Sequence, residues 1–371
     1  MGEVYAWSHQ DEVHLVERFT GVPLSSIKGS TVDCIVFNTT AGELLLHGAQ
    51  SDKVQTLCDK LKGGIAHSAS FGRNHFVAST DAGIIFSQGE GSQGQHGHGH
   101  SDDLEQPFPL KVASQIEEVR AGSNHCVALT RGGNVYAWGT GYFGQHGGNA
   151  RRPQMVPRML SFQKCKISSI AVGDDFSLAL ATDGRIWAWG SNDCGQLGLG
   201  DTRARFKPQV VGSTFTDIGD GQALKENPLL ISKANNAVES SWVSIAAGHS
   251  HAVACNAAGE LFAWGFNMQG QLGQGESRKY LKVPTIVDFS NSGASDDPED
   301  TSIAQVAAAG YFSAALSANG KVFTFGQMEV TGDDQPPRAN AGTATLVRKL
   351  SDAKVRCHWK LLLGHALIVG C

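Results

Sequence analysis

Short apolar runs alternate with glycine-rich polar segments along most of the chain. His125–Leu129 is one such run, and Asn134–Trp138 is a second that follows the pair Gly132-Gly133. Runs of about five residues, rich in β-branched and aromatic side chains and bounded by glycines, are typical of strands. The glycine pair suits the positive φ angles of a two-residue hairpin turn. The pattern therefore predicts a β-hairpin followed by a glycine-rich loop.

This hairpin unit recurs with its glycines in register. Each copy has an opening glycine, a turn glycine, a Trp-Gly pair and a Gly-Gln pair. Three copies keep identical offsets: Gly122, Gly133, Trp138-Gly139 and Gly144-Gln145; Gly173, Gly184, Trp189-Gly190 and Gly195-Gln196; Gly248, Gly259, Trp264-Gly265 and Gly270-Gln271. Weaker copies open at Gly72 and Gly310. Because one hairpin cannot bury both of its faces, the repeat predicts sheets that pack against one another.

The two ends of the chain each hold half a unit. Residues 2–7 repeat the second half, and residues 364–369 repeat the first half. Joining the ends gives seven units, whose first halves open near Gly29, Gly72, Gly122, Gly173, Gly248, Gly310 and Gly364. The sequence therefore predicts an all-β fold. We expect a seven-bladed β-propeller of four-stranded blades, closed by pairing the N-terminal strand with the C-terminal blade.

Length and charge fit one propeller domain, residues 1–371, because blades are added around a ring rather than onto one core. Surface insertions are predicted at about 212–241, 288–300 and 332–345, where loops carry binding. The net charge of −5 argues against binding nucleic acid through the overall field. With no secretory signal and no long apolar run, we expect a cytoplasmic or nuclear protein without a membrane partner.

Two loop segments carry the closest match to a known repeat. They are Ser191-Asn-Asp-Cys-Gly195-Gln-Leu-Gly-Leu-Gly200 and Phe266-Asn-Met-Gln-Gly270-Gln-Leu-Gly273. They resemble the repeat of the regulator of chromosome condensation superfamily, and the resemblance covers essentially the whole chain. It implies a propeller, but members serve as nucleotide-exchange factors, inhibitors, light sensors and scaffolds. The Gly-Trp-Arg-His-Thr signature of the plant ultraviolet-B photoreceptor is absent, which argues against light sensing.

Two glycine fingerprints, Gly89–Gly94 and Gly139–Gly144, have the G-x-G-x-x-G form of a dinucleotide site. No helical pattern follows to bind a pyrophosphate, so they are interpreted as propeller loops and no cofactor is predicted. The run His96-Gly-His98-Gly-His100 could ligate zinc or copper. A surface loop is the favoured interpretation, because His96 and His146 both replace the leucine of a Gly-Gln-Leu-Gly loop, and no metal site is predicted.

Repeated polar and aromatic residues invite a structural reading. The histidine three residues after the opening glycine is predicted to bond to the next blade rather than to form a catalytic or metal ring. Phe176 and Ser313 hold that position in other copies. The repeated glutamine is predicted to tie down backbone groups of its loop, and the repeated tryptophan to lie in the core. The three sets are His75, His125, His251 and His365; Gln95, Gln145, Gln196 and Gln271; Trp138, Trp189 and Trp264.

Basic clusters follow the Gly-Gln segment in three consecutive copies. Their equivalent positions predict one basic face, either a dock for an acidic partner or a nucleic-acid backbone, or ordinary solvated charge. Three acidic residues of the first insertion are further candidates. The predicted partner-binding residues are Arg151, Arg152, Arg158, Arg203, Arg205, Lys207, Arg278, Lys279, Lys282, Asp217, Asp220 and Glu226.

No nucleophile, base or metal constellation emerges, so an enzyme is not predicted. The sequence favours a protein-protein interaction module or regulatory scaffold, alone or in a larger assembly. The alternative is guanine-nucleotide exchange on a small GTPase such as Ran, the activity that the resemblance implies for the founding member of the superfamily. Nucleic acid or chromatin is a partner that the net charge disfavours.

Overall fold

In this computed structural model, the described residues are 3–7, 13–15, 24–31, 34–39, 44–48, 51–56, 66–110, 112, 114–216, 223–226, 241–275, 279–290, 292, 298–327, 341–346 and 367–370. They are almost wholly β, as the sequence predicts. The described residues form six four-stranded antiparallel sheets, one three-stranded sheet and one short hairpin. A single helical turn, α1 (Pro298–Thr301), is the helix among them.

We number the four-stranded sheets I to VI in chain order. Sheet I contains β3 (Leu24–Thr31), β4 (Cys34–Thr39), β5 (Leu44–Gly48) and β6 (Ser51–Thr56). Sheet II contains β7 (Ala66–Phe71), β8 (His75–Thr80), β9 (Ile85–Gly89) and β10 (Leu104–Leu110). Sheet III contains β11 (Ile116–Ala121), β12 (His125–Thr130), β13 (Val135–Gly139) and β14 (Gln154–Met159).

Sheet IV contains β15 (Ile167–Val172), β16 (Phe176–Ala181), β17 (Ile186–Gly190) and β18 (Arg205–Val210). Sheet V contains β21 (Trp242–Ala247), β22 (His251–Asn256), β23 (Leu261–Phe266) and β24 (Tyr280–Ile286). Sheet VI contains β25 (Ile303–Ala309), β26 (Tyr311–Ser317), β27 (Val322–Gln327) and β28 (Ala341–Leu346). The short hairpin pairs β19 (Ser213–Thr216) with β20 (Ala223–Glu226). The terminal sheet contains β1 (Glu3–Trp7), β2 (Val13–Leu15) and β29 (Leu367–Gly370).

The two ends of the chain meet in the terminal sheet. β1 pairs antiparallel with β2 on one side and with β29 on the other, with Val4 opposite Val369. The first strands of successive sheets, β3, β7, β11, β15, β21 and β25, pack against one another. The chain therefore places sheet after sheet around a common inner row of strands.

The strands of each four-stranded sheet end on two opposite sides, and "edge" is used here for each of these two rows of strand ends, not for an outermost strand. The tight hairpins between second and third strands lie at one edge, which we call the hairpin edge, together with the connections between sheets. The turns between first and second strands, and the loops between third and fourth strands, which are long in sheets II to VI, lie at the opposite edge, the loop edge. The predicted hairpins are confirmed: His125 lies opposite Gly139, and the turn residue Gly133 has a φ of 76° that favours glycine.

This topology separates the predicted insertions. The segments 212–241 and 288–300 connect sheets, and so leave and enter the sheets at the hairpin edge, whereas 332–345 joins β27 to β28 at the loop edge. Three structural details lie within the predicted insertions. Residues 341–345 belong to an outer strand, the short hairpin lies inside 212–241, and Asp300 is buried, where it accepts a hydrogen bond from Asn319 Nδ2.

The core lies between neighbouring sheets. The three repeated tryptophans, Trp138, Trp189 and Trp264, are fully buried, as predicted. Trp187 is also buried and packs edge-on against Phe162, which lies in the connection between sheets III and IV. No helix among the described residues is long and apolar enough to cross a membrane.

Candidate interaction face

The contact between neighbouring sheets, which we call a seam, is built around one backbone carbonyl. Gln145 O of sheet III accepts a hydrogen bond from Trp189 Nε1 of sheet IV at 2.8 Å. The carbonyls of Gln95 and Gln196 receive the equivalent tryptophan donors of sheets III and V, at 2.9 Å each. The repeated glutamine and the repeated tryptophan of the next sheet therefore form the same joint in three seams, although 43, 44 and 68 residues separate them along the chain.

The glutamine side chain holds its own loop, as predicted. Gln145 Oε1 accepts a hydrogen bond from Phe143 N at 2.9 Å, and the other three repeated glutamines do the same two residues back. The tight turn leaves that amide without a backbone partner, so the side chain supplies one. The same side-chain hydrogen bond therefore closes the turn in all four loops.

The predicted hydrogen bonds from histidine to the next sheet are confirmed. His125 Nε2 lies 2.9 Å from Ser177 Oγ, and His251 Nε2 lies 2.9 Å from Ser313 Oγ. His75 Nε2 contacts Cys126 Sγ at 3.1 Å. Burial lowers the pKa of all three imidazoles to about 3, so they are neutral in the folded protein. His365 lies outside the described residues.

Two features of this position differ from the sequence interpretation. Phe312, and not Ser313, lies opposite Gly326 and so takes the histidine position in sheet VI, because that repeat is one residue shorter. In sheet IV the histidine position holds Phe176, and the hydroxyl residue that would pair with a histidine is also replaced. The residue at the position of the partner hydroxyl is Ala252, which lies opposite Trp264 as Ser177 lies opposite Trp189. A polar pair in three seams is therefore replaced by an apolar pair in the seam between IV and V.

The loops of sheets II and III differ from those of sheets IV and V by a second paired exchange. Asn192 bridges its loop by accepting from Leu197 N and donating to Asp201 O, each at 3.0 Å. In sheet III the asparagine position is Gly141 and the leucine position is His146. His146 donates Nε2–H to Arg152 O at 3.1 Å and accepts from Gly148 N at 2.9 Å.

The second glycine of each fingerprint is explained by this exchange. A Cβ on Gly141 would overlap His146 Nε2, and a Cβ on Gly91 would overlap His96 Nε2. Both G-x-G-x-x-G sequences therefore lie in propeller loops, as predicted, and their middle glycine makes room for an imidazole. Burial lowers the pKa of His96 and of His146, which keeps the acceptor nitrogen unprotonated.

The run of three histidines forms a cluster of rings at the loop edge of sheet II. The ring centroids lie 4.8 to 6.2 Å apart. Both nitrogens of His96 are hydrogen-bonded to backbone, to Asp102 O and His98 N. His98 Nε2 bonds to Ser87 Oγ at 3.1 Å, so these two imidazoles bind the protein itself.

The basic cluster of sheet III lies at the loop edge. Arg151 and Arg152 are exposed, and the Arg151 guanidinium lies over the Phe206 ring of sheet IV, 5.4 Å from its centroid. Arg158 is exposed in β14, where Nη1 donates to Gly148 O at 3.3 Å. Arg151 and Arg152 thus project from the loop, while Arg158 braces it.

The basic cluster of sheet IV starts its outer strand. Arg203 and Lys207 are exposed. Arg205 is mostly covered and forms an ion pair with Asp201 at 2.7 Å, which keeps the pKa of that carboxyl below its usual range although partial burial opposes the shift. Arg205 therefore has a partner inside its own loop.

In sheet V, Lys279 and Lys282 are exposed, and Lys282 Nζ lies over the Tyr280 ring. Gly200 N of the sheet IV loop donates to Lys282 O at 2.9 Å, so this cluster also lies at a seam. Arg278, Asp217 and Asp220 lie outside the described residues. Glu226 ends a strand of the short hairpin opposite Ser213.

Exposed apolar side chains at the loop edge were missed by the sequence analysis. Tyr142 is 56% exposed and Phe143 is 45% exposed, side by side in the loop of sheet III. The equivalent pair is Ser92-Gln93 in sheet II and Asp193-Cys194 in sheet IV. In sheet V the equivalent pair is Met268-Gln269, with Met268 56% exposed. Two adjacent aromatics at this repeat position in sheet III were the signal in the sequence.

The inner rim of the loop edge is a row of linked turns. Ser123 N donates to Asp174 O, Asp174 N to His249 O, and His249 N to Gly310 O. The Asp174 carboxylate also pairs with His249 Nδ1 at 2.5 Å. Burial raises the pKa of the neighbouring Asp175, which accepts a hydrogen bond from Gln145 Nε2.

Solved structures share this fold. Human WBSCR16 matches with a TM-score of 0.76 and 17% identity over 100% of this chain and 98% of that one. Prp20p of Saccharomyces cerevisiae, whose structure was described with its binding to Gsp1p and histones, matches with a TM-score of 0.74 and 16% identity over 100% and 91%. At these identities the likeness concerns the fold.

Sequence relatives are regulators. The chain is 29% identical over 318 residues to the ultraviolet-B receptor UVR8 of Arabidopsis thaliana, covering 76% of this chain and 70% of the receptor. It is 29% identical over 284 residues to the secretion-regulating guanine nucleotide exchange factor of Bos taurus, covering 74% of this chain and 55% of that factor. Models of the regulator of chromosome condensation repeat match residues 82–129, 132–180, 183–255 and 258–316. This chain is therefore a member of the regulator of chromosome condensation (RCC1) repeat family.

Proposed function

We propose that this chain is a non-enzymatic interaction module, a regulatory scaffold whose loop edge docks a protein partner. The observation that carries the proposal is the presence of exposed basic side chains at the loop edge of three consecutive sheets. Arg151, Lys207 and Lys279 represent the three clusters. Positive charge arranged along one edge complements an acidic partner surface and accelerates encounter with it.

The scaffold in this proposal is a closed ring of seven blades. Sheets I to VI share one strand order, and the terminal sheet would be the seventh blade. The pairing of β1 with β29 supports closure, because it joins the two ends of the chain. A closed ring holds the loops of successive blades in constant relation and leaves no long strand edge open.

The relatives support a regulatory role within the cell, in the cytoplasm or nucleus. Prp20p is described as binding Gsp1p and histones, and UVR8 is a receptor. The binding described for Prp20p is binding to other proteins. For this chain, we therefore favour a protein partner, which it binds alone or within a larger assembly.

The test compares partners recovered by affinity purification and mass spectrometry. The loop-edge variant changes six exposed residues to glutamate and spares Arg158 and Arg205, which brace their own loops. The six are Arg151, Arg152, Arg203, Lys207, Lys279 and Lys282. The control changes three exposed basic residues at the hairpin edge, Arg131, Lys164 and Lys166, to glutamate. A second variant, R151E/R152E/K207E, carries the same number of charge reversals at the loop edge.

We expect the partner to be lost with both loop-edge variants and kept with the control. An unchanged set of partners with all three variants would reject the proposal. Circular dichroism and thermal melts of the parent and these variants establish that the substitutions leave the fold intact.

Nucleotide exchange on a small GTPase is the second candidate, favoured by the likeness to the bovine exchange factor. The assay follows release of a fluorescent GDP analogue from Ran with substoichiometric amounts of this chain. Acceleration that the loop-edge variant loses would support exchange. A rate equal to spontaneous release would leave the scaffold as the function.

A further inference from the structure

The seam between sheets III and IV joins aromatic and basic side chains at the loop edge. The loop of sheet III crosses onto the start of β18, where Asn149 N donates to Phe206 O at 2.9 Å. Gly144 packs directly on Arg205 and Phe206, so closely that a Cβ there would meet their backbone. Tyr142 and Phe143 precede this glycine, and Arg203 and Lys207 flank the segment it touches.

The aromatic pair is presented by a rigid backbone. Gly144 N donates to Gly141 O at 2.9 Å, and Phe143 N donates to Gln145 Oε1 at 2.9 Å. Single exposed apolar residues are ordinary, but two adjacent exposed aromatics between buried residues of the loop form an apolar patch. Because the backbone is held in advance, ordering it on binding costs little.

We propose that this III–IV site, defined by Tyr142, Phe143, Arg151, Arg152, Arg203 and Lys207, binds an acidic segment of a protein partner that carries a bulky apolar side chain. The proposal rests on the docking role proposed above and assigns it to one seam. The four cations are exposed and complement acidic side chains, while the aromatic pair gives the apolar anchor a surface to cover.

The other described seams lack this combination. At the seam between II and III the loop presents Ser92 and Gln93, and at the seam between IV and V it presents Asp193 and Cys194. At the seam between V and VI it presents Met268, which is 56% exposed, and Gln269, but β28 there carries no basic residue. Since the backbone repeats and only the side chains differ, the III–IV site is set apart by its residues. This gives a matched control position one sheet away.

The charges around the site favour a peptide over nucleic acid. Asp193 is exposed in the next loop, and Asp174 is part-exposed at the inner rim. A nucleic-acid backbone needs a continuous track of cations and would be repelled by carboxylates on its path. A short acidic segment needs only the local cluster of four cations and does not have to pass these carboxylates.

The test is fluorescence anisotropy with a fluorescein-labelled peptide, Glu-Glu-Asp-Glu-Trp-Leu-Glu-Asp-Glu-Glu, and the whole chain. Two double variants remove the two halves of the site, Y142S/F143S and R151E/R152E. The control S92A/Q93A changes the same loop positions in sheet II, where neither side chain carries a charge. Two further ligands are the peptide with serine in place of its Trp and Leu, and an oligothymidylate of equal length.

We expect the two site variants each to weaken binding by about tenfold, as loss of a central anchor does. The control should bind as the parent does, and the serine peptide should bind as weakly to the parent as the full peptide does to Y142S/F143S. Equal binding by the parent and Y142S/F143S, no binding to the parent, or tighter binding of oligothymidylate would overturn the proposal.

The two proposals fail separately. If affinity purification loses the partner with the six-residue variant but keeps it with Y142S/F143S and R151E/R152E, the loop edge docks a partner elsewhere and the III–IV site is wrong. If the peptide binds the III–IV site but no cellular partner depends on the loop edge, the docking function fails and the site stands.

Discussion

His251 of sheet V donates its Nε2–H to Ser313 Oγ of sheet VI across 2.9 Å. The direction follows from the next bond, in which the Ser313 hydroxyl donates to Gln271 O at 2.8 Å, so the imidazole must be the donor. Nδ1 is then unprotonated, and it is buried without a hydrogen-bond partner in the described part of the chain. Two hydrogen bonds thus cross from sheet V to sheet VI and return.

Breaking this relay at one end should be costly. In Ser313→Ala, the His251 N–H is left buried without an acceptor, which lowers the free energy of unfolding by about 1–3 kcal/mol. The double variant H251F/S313A copies the apolar pair Phe176 and Ala252 found between sheets IV and V. Urea unfolding should show the double variant to be more stable than the S313A single variant, and strict additivity would show that the two residues do not act as a pair.

Gly141 and His146 should also behave as a pair. Gly141→Asn places a side chain where the imidazole lies, so we expect a loss of about 1–3 kcal/mol, as for overpacking. Adding His146→Leu recreates the combination of Asn192 and Leu197, with its two bridging hydrogen bonds. Thermal melts of the two single variants and the double variant measure the coupling; recovery in the double variant is the expected result.

The buried histidines predict acid sensitivity. The pKa of His75, His125 and His251 is lowered by burial to about 3, from 6.5, so the unfolded chain binds more protons between these values. Stability is then full above about pH 6.5 and falls as pH decreases, by about 1.4 kcal/mol per pH unit for each histidine once the unfolded imidazoles are protonated. Urea titrations at pH 7.5, 6.5 and 5.5 measure the slope.

The same urea titrations on H251F/S313A test whether the buried histidines cause the acid sensitivity. This variant removes one of the buried imidazoles and keeps the others, so its stability should fall less steeply with acid than that of the parent. A slope identical to that of the parent would mean that other groups cause the acid sensitivity.

Comparing two tryptophans of β17, Trp187 and Trp189, distinguishes the contribution of a hydrogen bond to stability from that of packing. Trp189→Phe removes the donor to Gln145 O and should cost about 1–2 kcal/mol beyond the lost packing. Trp187→Phe is the control, since Trp187 is equally buried but its Nε1 has no hydrogen-bond partner among the described residues. The melting temperature should drop further for W189F than for W187F. Equal drops would show that the hydrogen bond to Gln145 O contributes little to stability.

The local unit was predictable from the sequence. Strand alternation and a glycine with positive φ act within a few residues, so the hairpin with His125 opposite Gly139 and the glutamine that closes its own turn could be inferred from one copy of the repeat. Repetition then made the histidine bond to the next sheet predictable, because a residue placed identically in each sheet meets the same neighbour.

Departures from the repeat were decided by the tertiary structure. Phe176 is accommodated by Ala252, far along the chain, and the sequence alone gave no reason to read the two together. Arg151 looked like an ordinary basic loop residue, yet its guanidinium lies over Phe206 of the next sheet, 55 residues further along the chain. The sequence thus determined the repeating sheets through short-range geometry, whereas packing across seams decided which side chains remain exposed, because those contacts join residues whose distance apart in the chain carries no local signal.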